Sequence, residues 1–196
     1  MLAQLGILAA IMLVFHFTGI GYIKLGAIEM TIMMVPVIIG AITLGPIAGA
    51  ILGGIFGVTV CLLPFTQSFF MAMNLPGTII MCVAFRGIIL GFLIGLLFKG
   101  FNRLDSSRIW SCEATGLIAS LLNTAIFVVG AVIIYGNNPM MHDFFESIGM
   151  QAKTPSAVFS ALIVVVGVQA VVEAAICTLV ASVIAKAVMT YLQKSN

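Results

Sequence analysis

Charge is what this sequence has least of. Of its 196 residues, 8 are Lys or Arg and 6 are Asp or Glu, which is 7%. A soluble globular domain carries about 25% charged residues, because its surface must be wetted. At 7%, the chain cannot cover a water-facing surface, and a soluble enzyme is excluded. A formal net charge of +2 supplies no field for nucleic acid. Catalytic signatures are missing as well. There is no GxxxxGK[ST] phosphate loop, no HExxH, no GxSxG and no CxxC pair, so ATP hydrolysis, zinc chemistry and acyl transfer lack their usual motifs. The four cysteines, Cys61, Cys82, Cys112 and Cys177, lie singly in apolar runs and read as small buried hydrophobes. No basic region precedes the N-terminal apolar stretch, which therefore reads as a first span and not as a cleaved signal. No internal repeat is visible, which weighs against an inverted-repeat transporter.

What the chain has instead is apolar length. It is 62% hydrophobic, with a mean hydropathy of +1.28. The solvent for most of its surface is lipid, where every backbone group must be satisfied internally. Barrel strands alternate polar and apolar residues, and runs such as Ile47 to Leu63 do not. The reading is an all-α integral membrane protein, one domain over residues 1–196, with six transmembrane helices of about 20 residues each. Apolar runs and Gly/Pro breakers place the spans at 2–18, 27–44, 47–63, 77–98, 111–135 and 156–187. Gly19-Ile20-Gly21 ends the first, Pro36 kinks the second, and Gly45-Pro46 opens the third.

The loops differ in character. Residues 64–76 carry no charge and are too apolar to float freely, so they fold back over the helices. Residues 99–110 are basic, with Lys99, Arg103 and Arg108 against Asp105. Residues 136–155 read as a polar, mildly acidic solvated loop. His142, Asp143 and Glu146 lie there at no metal-ligand spacing, so no metal site is assigned. Lys and Arg collect on cytoplasmic loops. Lys99, Arg103, Arg108, Lys186 and Lys194 share one side, against Lys24 and Lys153 on the other, which puts both termini in the cytoplasm.

Two patterns carry physics. Gly45, Gly49, Gly53 and Gly57 recur every four residues in the third span, and Gly87, Gly91 and Gly95 do so in the fourth. Such stripes let helix backbones approach closely, here as internal packing. Gly6 and Ala10 form a shorter version in the first span, where internal packing and docking of another subunit are equally open. The second pattern is polar residues at membrane depth. Arg86 lies ~13 Å below the outer surface at 1.5 Å per residue. Asn123 lies ~19 Å from the outer end of its span, Gln169 is similarly deep in the sixth, and Glu173 is one turn from Gln169. A charge there must face the protein interior or a cavity. Arg86, Asn123 and Gln169 can form a layer for a small polar ligand with a carboxylate; an Arg86–Glu173 ion pair is the competing arrangement. Glu29 and Glu113 fall at expected span starts, where they favour a helix N-terminus.

The stretch from Val35 to Gly57, VPVIIGAITLGPIAGAILGGIFG, resembles the span 2–3 signature of energy-coupling factor transporter S components. The stretch from Phe85 to Lys99, FRGIILGFLIGLLFK, is similar to their fourth helix. The resemblance implies a bacterial cell-membrane, multi-pass, substrate-binding subunit that captures a vitamin from outside. It also implies partners: a transmembrane coupling protein and two ATPase subunits, which bind ATP and Mg, so that this chain needs no cofactor of its own. In the family, helices 4 to 6 and the outer loops hold the ligand. The resemblance then assigns ligand contacts to Arg86, Asn123 and Gln169, with Gln67 and Asn74 closing the site, and the coupling-protein contact to Gly6 and Ala10. Glycine at position 6 replaces the more usual alanine. The family's metal-specific branch carries a histidine near the N-terminus, and this chain begins Met1-Leu2-Ala3. Pantothenate, with a carboxylate, an amide and two hydroxyls, suits Arg86 and Asn123; a folate or riboflavin subunit and an ion-coupled carboxylate transporter working through Glu173 are the alternatives.

Overall fold

Apolar runs in lipid must coil, because a helix satisfies its own N–H and C=O groups. The computed structural model describes residues 2–19, 21–25, 28–104 and 108–194. Ala27, where the second span was expected to begin, Ile20 of the first turn and Asp105 of the basic loop lie outside the described residues. The elements are α1 (Leu2–Thr18), β1 (Tyr22–Leu25), β2 (Ile28–Thr31), α2 (Met34–Leu44), α3 (Pro46–Cys61), α4 (Thr66–Arg103), α5 (Arg108–Tyr135), α6 (Pro139–Ser147) and α7 (Pro155–Lys194). Among the described residues, three helical stretches are long and apolar enough to cross a bilayer: Thr66–Arg103, Trp110–Tyr135 and Pro155–Val183. The remaining apolar helices, α1, α2 and α3, have 17, 11 and 16 residues.

The second expected span needs correction. Helix starts at Met34, and the preceding residues form a hairpin in which Tyr22 pairs with Thr31 and Lys24 with Glu29. Glu29 thus sits in β2, not at a helix start. A span running from residue 27 would carry this carboxylate close to hydrocarbon, at a cost of ~2.5–3.5 kcal/mol for an acidic residue at mid-membrane. Two short strands that bond to each other satisfy the backbone without inserting it. The helix that remains is buried on most sides, with Met34, Val37, Ile38 and Ala41 in the core.

The glycine stripes set the central seam. A Cβ placed on Gly49 would strike the carbonyl of Gly91, one on Gly53 the carbonyl of Gly87, and one on Gly57 the carbonyl of Cys82. The partners run in opposite directions along the two chains, so α3 and α4 are antiparallel and touch backbone to backbone. Gly45 is not part of the seam: it makes the α2–α3 turn at φ 97°, a left-handed conformation that favours glycine.

α4 begins well before the expected start at residue 77. The uncharged stretch after α3 coils as far as Met73, and the chain then breaks at Asn74 (φ −160°, ψ 91°). Asn74 Oδ1 accepts a hydrogen bond from the Gly77 N–H at 3.0 Å, capping the long limb that follows. Pro76 falls in that first turn, where its missing N–H costs nothing. The first limb, residues 66–73, buries Phe70 against Phe127 and Tyr135. The region expected as a solvated loop holds α6, opened by Asn138, whose Oδ1 accepts from the Met140 N–H at 2.9 Å. Met141 and Phe145 pin α6 into the core, and Phe144 packs on Phe69 of the first limb of α4 with ring centroids 5.1 Å apart.

Candidate functional site

Arg86 lies in a π-helical stretch of α4, Ile80–Ile89. Wide turns of this kind shift side chains off the regular helical face and recur at functional sites. The guanidinium carbon stands 5.0 Å from the Phe127 ring centroid and 6.0 Å from that of Phe56. Two aromatic faces therefore hold the cation by its quadrupole attraction. Its Nε donates to Asn123 Oδ1 at 3.1 Å. Asn123 Nδ2 in turn donates to Glu173 Oε1 at 3.1 Å. Asn123 and Glu173 are almost fully buried, at 1% and 2% exposure.

The two charges are thus joined through an amide. An amide is suited to this place because it accepts on one side and donates on the other. The result is an Arg–Asn–Glu chain spanning α4, α5 and α7. Nε is engaged by Asn123; a guanidinium pairs a carboxylate through two N–H groups in a bidentate arrangement.

The chain of polar groups borders a small cavity of about 100 Å³, below the roughly 300–1,000 Å³ of drug-sized ligand sites. Arg86, Asn123, Gln169 and Glu173 all line it. Phe65, just before α4, and Thr66 and Phe70 of its first limb form one side, α5 adds Thr124 and Phe127, and Val60, Leu63, Met81 and Cys82 line the wall near the α3–α4 seam. The uncharged stretch 64–76 forms part of this wall through its helical limb. The structure therefore brings together three of the expected ligand contacts, Arg86, Asn123 and Gln169. Gln67 is exposed on the first limb of α4, and the Asn74 side chain is engaged as the cap of the long limb; among the described residues lining the cavity neither appears. Sequence reading missed Phe56 and Phe127 as the flanks of Arg86. Phe127, one turn beyond Asn123 on the same helix face, was the available signal.

Gly6 and Ala10 lie apart from this site. Both are exposed, and a Cβ on Gly6 would meet nothing within 4 Å, unlike the glycines of the seam. The small face of α1 points away from the bundle. On α6, His142 hydrogen-bonds the Gly136 carbonyl at 3.0 Å. Among the described residues, no group of three or more His, Cys, Asp or Glu gathers to hold a metal ion.

A search of curated proteins finds no match to the chain. A family model described as "ECF transporter, substrate-specific component" matches residues 1–185. That match covers the apolar helices, the glycine seam and the polar cavity alike, and it describes a transporter subunit, not an enzyme. On this evidence the chain belongs to the substrate-specific components of energy-coupling factor transporters, membrane proteins that associate with a coupling module of transmembrane and ATPase subunits.

Proposed function

We propose that this S component captures a small carboxylated vitamin precursor, with pantothenate the best match, on the outer side of a bacterial cell membrane. The observation that carries the reading is the convergence of Arg86, Asn123 and Gln169 on one cavity with an aromatic flank. Arg86 binds the carboxylate through its terminal amines. Asn123 and Gln169 bind amide or hydroxyl groups. Glu173 holds Asn123 in the orientation that keeps the guanidinium in place. Phe65, Phe70 and Phe127 cover the apolar part of the ligand.

The same reading has six spans, with both termini cytoplasmic. The coupling protein docks on the small face of α1 at Gly6 and Ala10, and the two partner ATPases bind ATP and Mg. Open space over Gly6 supports that docking face. Three phenylalanines line the cavity, and aromatic faces stack flat rings, so folate and riboflavin belong in the same experiment.

Isothermal titration of the purified chain with pantothenate, folate and riboflavin is the test, with Arg86→Ala alongside. Truncating one partner of a buried charge pair costs about 2–5 kcal/mol. Pantothenate binding should therefore weaken by roughly 30-fold or more in the variant. Equal affinity in the two proteins would remove Arg86 from the site, and binding of riboflavin or folate alone would move the assignment to a flat-ring substrate.

A further inference from the structure

The helical backbone of α4 is interrupted at Asn74 (φ −160°, ψ 91°), so the helix ladder alone does not fix the angle between its two limbs. A side chain crosses the break. The Thr78 hydroxyl donates to the Asn74 carbonyl at 2.7 Å and to the Phe70 carbonyl at 2.9 Å. The first of these bonds, four residues back, is ordinary for a helical threonine. The second reaches eight residues back and joins the long limb to the first one. Thr78 is also hydrogen-bonded to the Tyr135 hydroxyl at the end of α5. A hydroxyl has one hydrogen, and carbonyls only accept. The Thr78 hydrogen is therefore shared between the two carbonyls, and Tyr135 is the donor to Thr78.

The sequence builds this meeting. A Cβ on Gly77 would strike Ile134 Cγ2 at 2.7 Å and Asn74 Cγ at 2.9 Å. Glycine there lets the end of α5 seat against the break, which brings Tyr135, next to Ile134, to Thr78, next to Gly77. Thr78 and Tyr135 are both 0% exposed. Tyr135 also holds Phe70 by its ring, with centroids 5.3 Å apart. Phe70 meets Phe127 edge to face at 5.9 Å, and Phe127 covers Arg86. Phe70 and Phe127 line the cavity; Thr78 and Tyr135 are not among its described lining residues. They reach the cavity through Phe70.

We infer that Thr78 and Tyr135 are positioning residues for ligand capture: their paired hydroxyls hold the first limb of α4 at one angle across the Asn74 break and so set Phe70 in the cavity wall. Tyr135→Phe keeps the ring on Phe70 and removes only the donor that anchors Thr78 to α5. Thr78→Val keeps the shape and removes the bond across the break. Thr78→Ser keeps the hydroxyl. The effect on capture rests on the proposed binding site; the hold on the limb does not.

The test is amide hydrogen exchange of the full chain in lipid nanodiscs, read by mass spectrometry over residues 66–73. Exchange of the limb should quicken by about threefold to tenfold in Tyr135→Phe and in Thr78→Val, the weight of one hydrogen bond. Exchange in α3 should stay as it is, and Thr78→Ser should match the unsubstituted chain. Unchanged limb exchange in both variants, an increase that spreads equally through α3, or a limb that already exchanges like an open chain in the unsubstituted protein overturns the proposal. In calorimetry, Tyr135→Phe should bind pantothenate about threefold to tenfold more weakly, with Thr78→Ser again unchanged. Faster limb exchange at unchanged affinity removes both residues from capture. Should the unsubstituted chain bind no pantothenate, the ligand assignment falls, while the exchange readout still decides the hold on the limb.

Discussion

Asn123 shows how much one neutral residue does at membrane depth. Burying Arg86 or Glu173 alone would carry a penalty of several kcal/mol per ion. The amide connects them, accepting from the cation and donating to the anion at 3.1 Å each. Asn123→Ala should therefore destabilise the protein by about 1–3 kcal/mol, the penalty for leaving a buried partner unsatisfied. The drop in Tm, measured by thermal shift in detergent, should shrink when the substitution is made in a Glu173→Gln background, because residues in one network do not add. Equal drops in both backgrounds would mean that the two side chains act independently. The sequence made Arg86, Asn123 and Gln169 legible as a layer, since each is a polar residue in an apolar run. It could not show that Asn123 stands between the charges, or that Phe56 and Phe127 flank the guanidinium. Those relations depend on helix rotation, which a hydrophobic run leaves open on every side.

At the scale of the element, one spacing serves two ends. Small residues four apart pack α3 against α4, where each Cβ would collide with the opposing backbone, while the same spacing on α1 faces open space. Gly53→Val should disrupt the seam by at least the ~1–3 kcal/mol of overpacking, seen as loss of a monodisperse peak on size exclusion. Gly6→Leu should leave that peak intact and block co-purification with the coupling protein. A Gly6→Leu chain that still assembles with the module would sink the docking assignment on α1. The sequence could not separate these uses, because small faces pack internally or externally with equal ease. It also misplaced the elements with weaker hydrophobic signals. The paired strands Tyr22–Leu25 and Ile28–Thr31, the limb at 66–73 and α6 are short; the limb is ordered by neighbours, Phe69 against Phe144 of α6 and Phe70 against Tyr135 at 5.3 Å.

For the whole molecule, the arrangement proposed is an outward-opening receptor with its basic loop inside. Glu146 on α6 and Arg103 at the end of α4 are both exposed and provide the check. With a membrane-impermeant maleimide applied to intact cells expressing a variant without its native cysteines, Glu146→Cys should label at once and Arg103→Cys only after permeabilisation. The opposite pattern would invert the topology and place the cavity on the wrong side for uptake. Composition alone determined that this chain lives in lipid and is helical, because 62% hydrophobic residues with 7% charge leave no other solvent and few other backbones. The tertiary structure decided what the polar minority does. A buried charge states that it needs a partner, but the partner's identity comes from three helices, far apart in sequence, being brought to one depth and turned to one face.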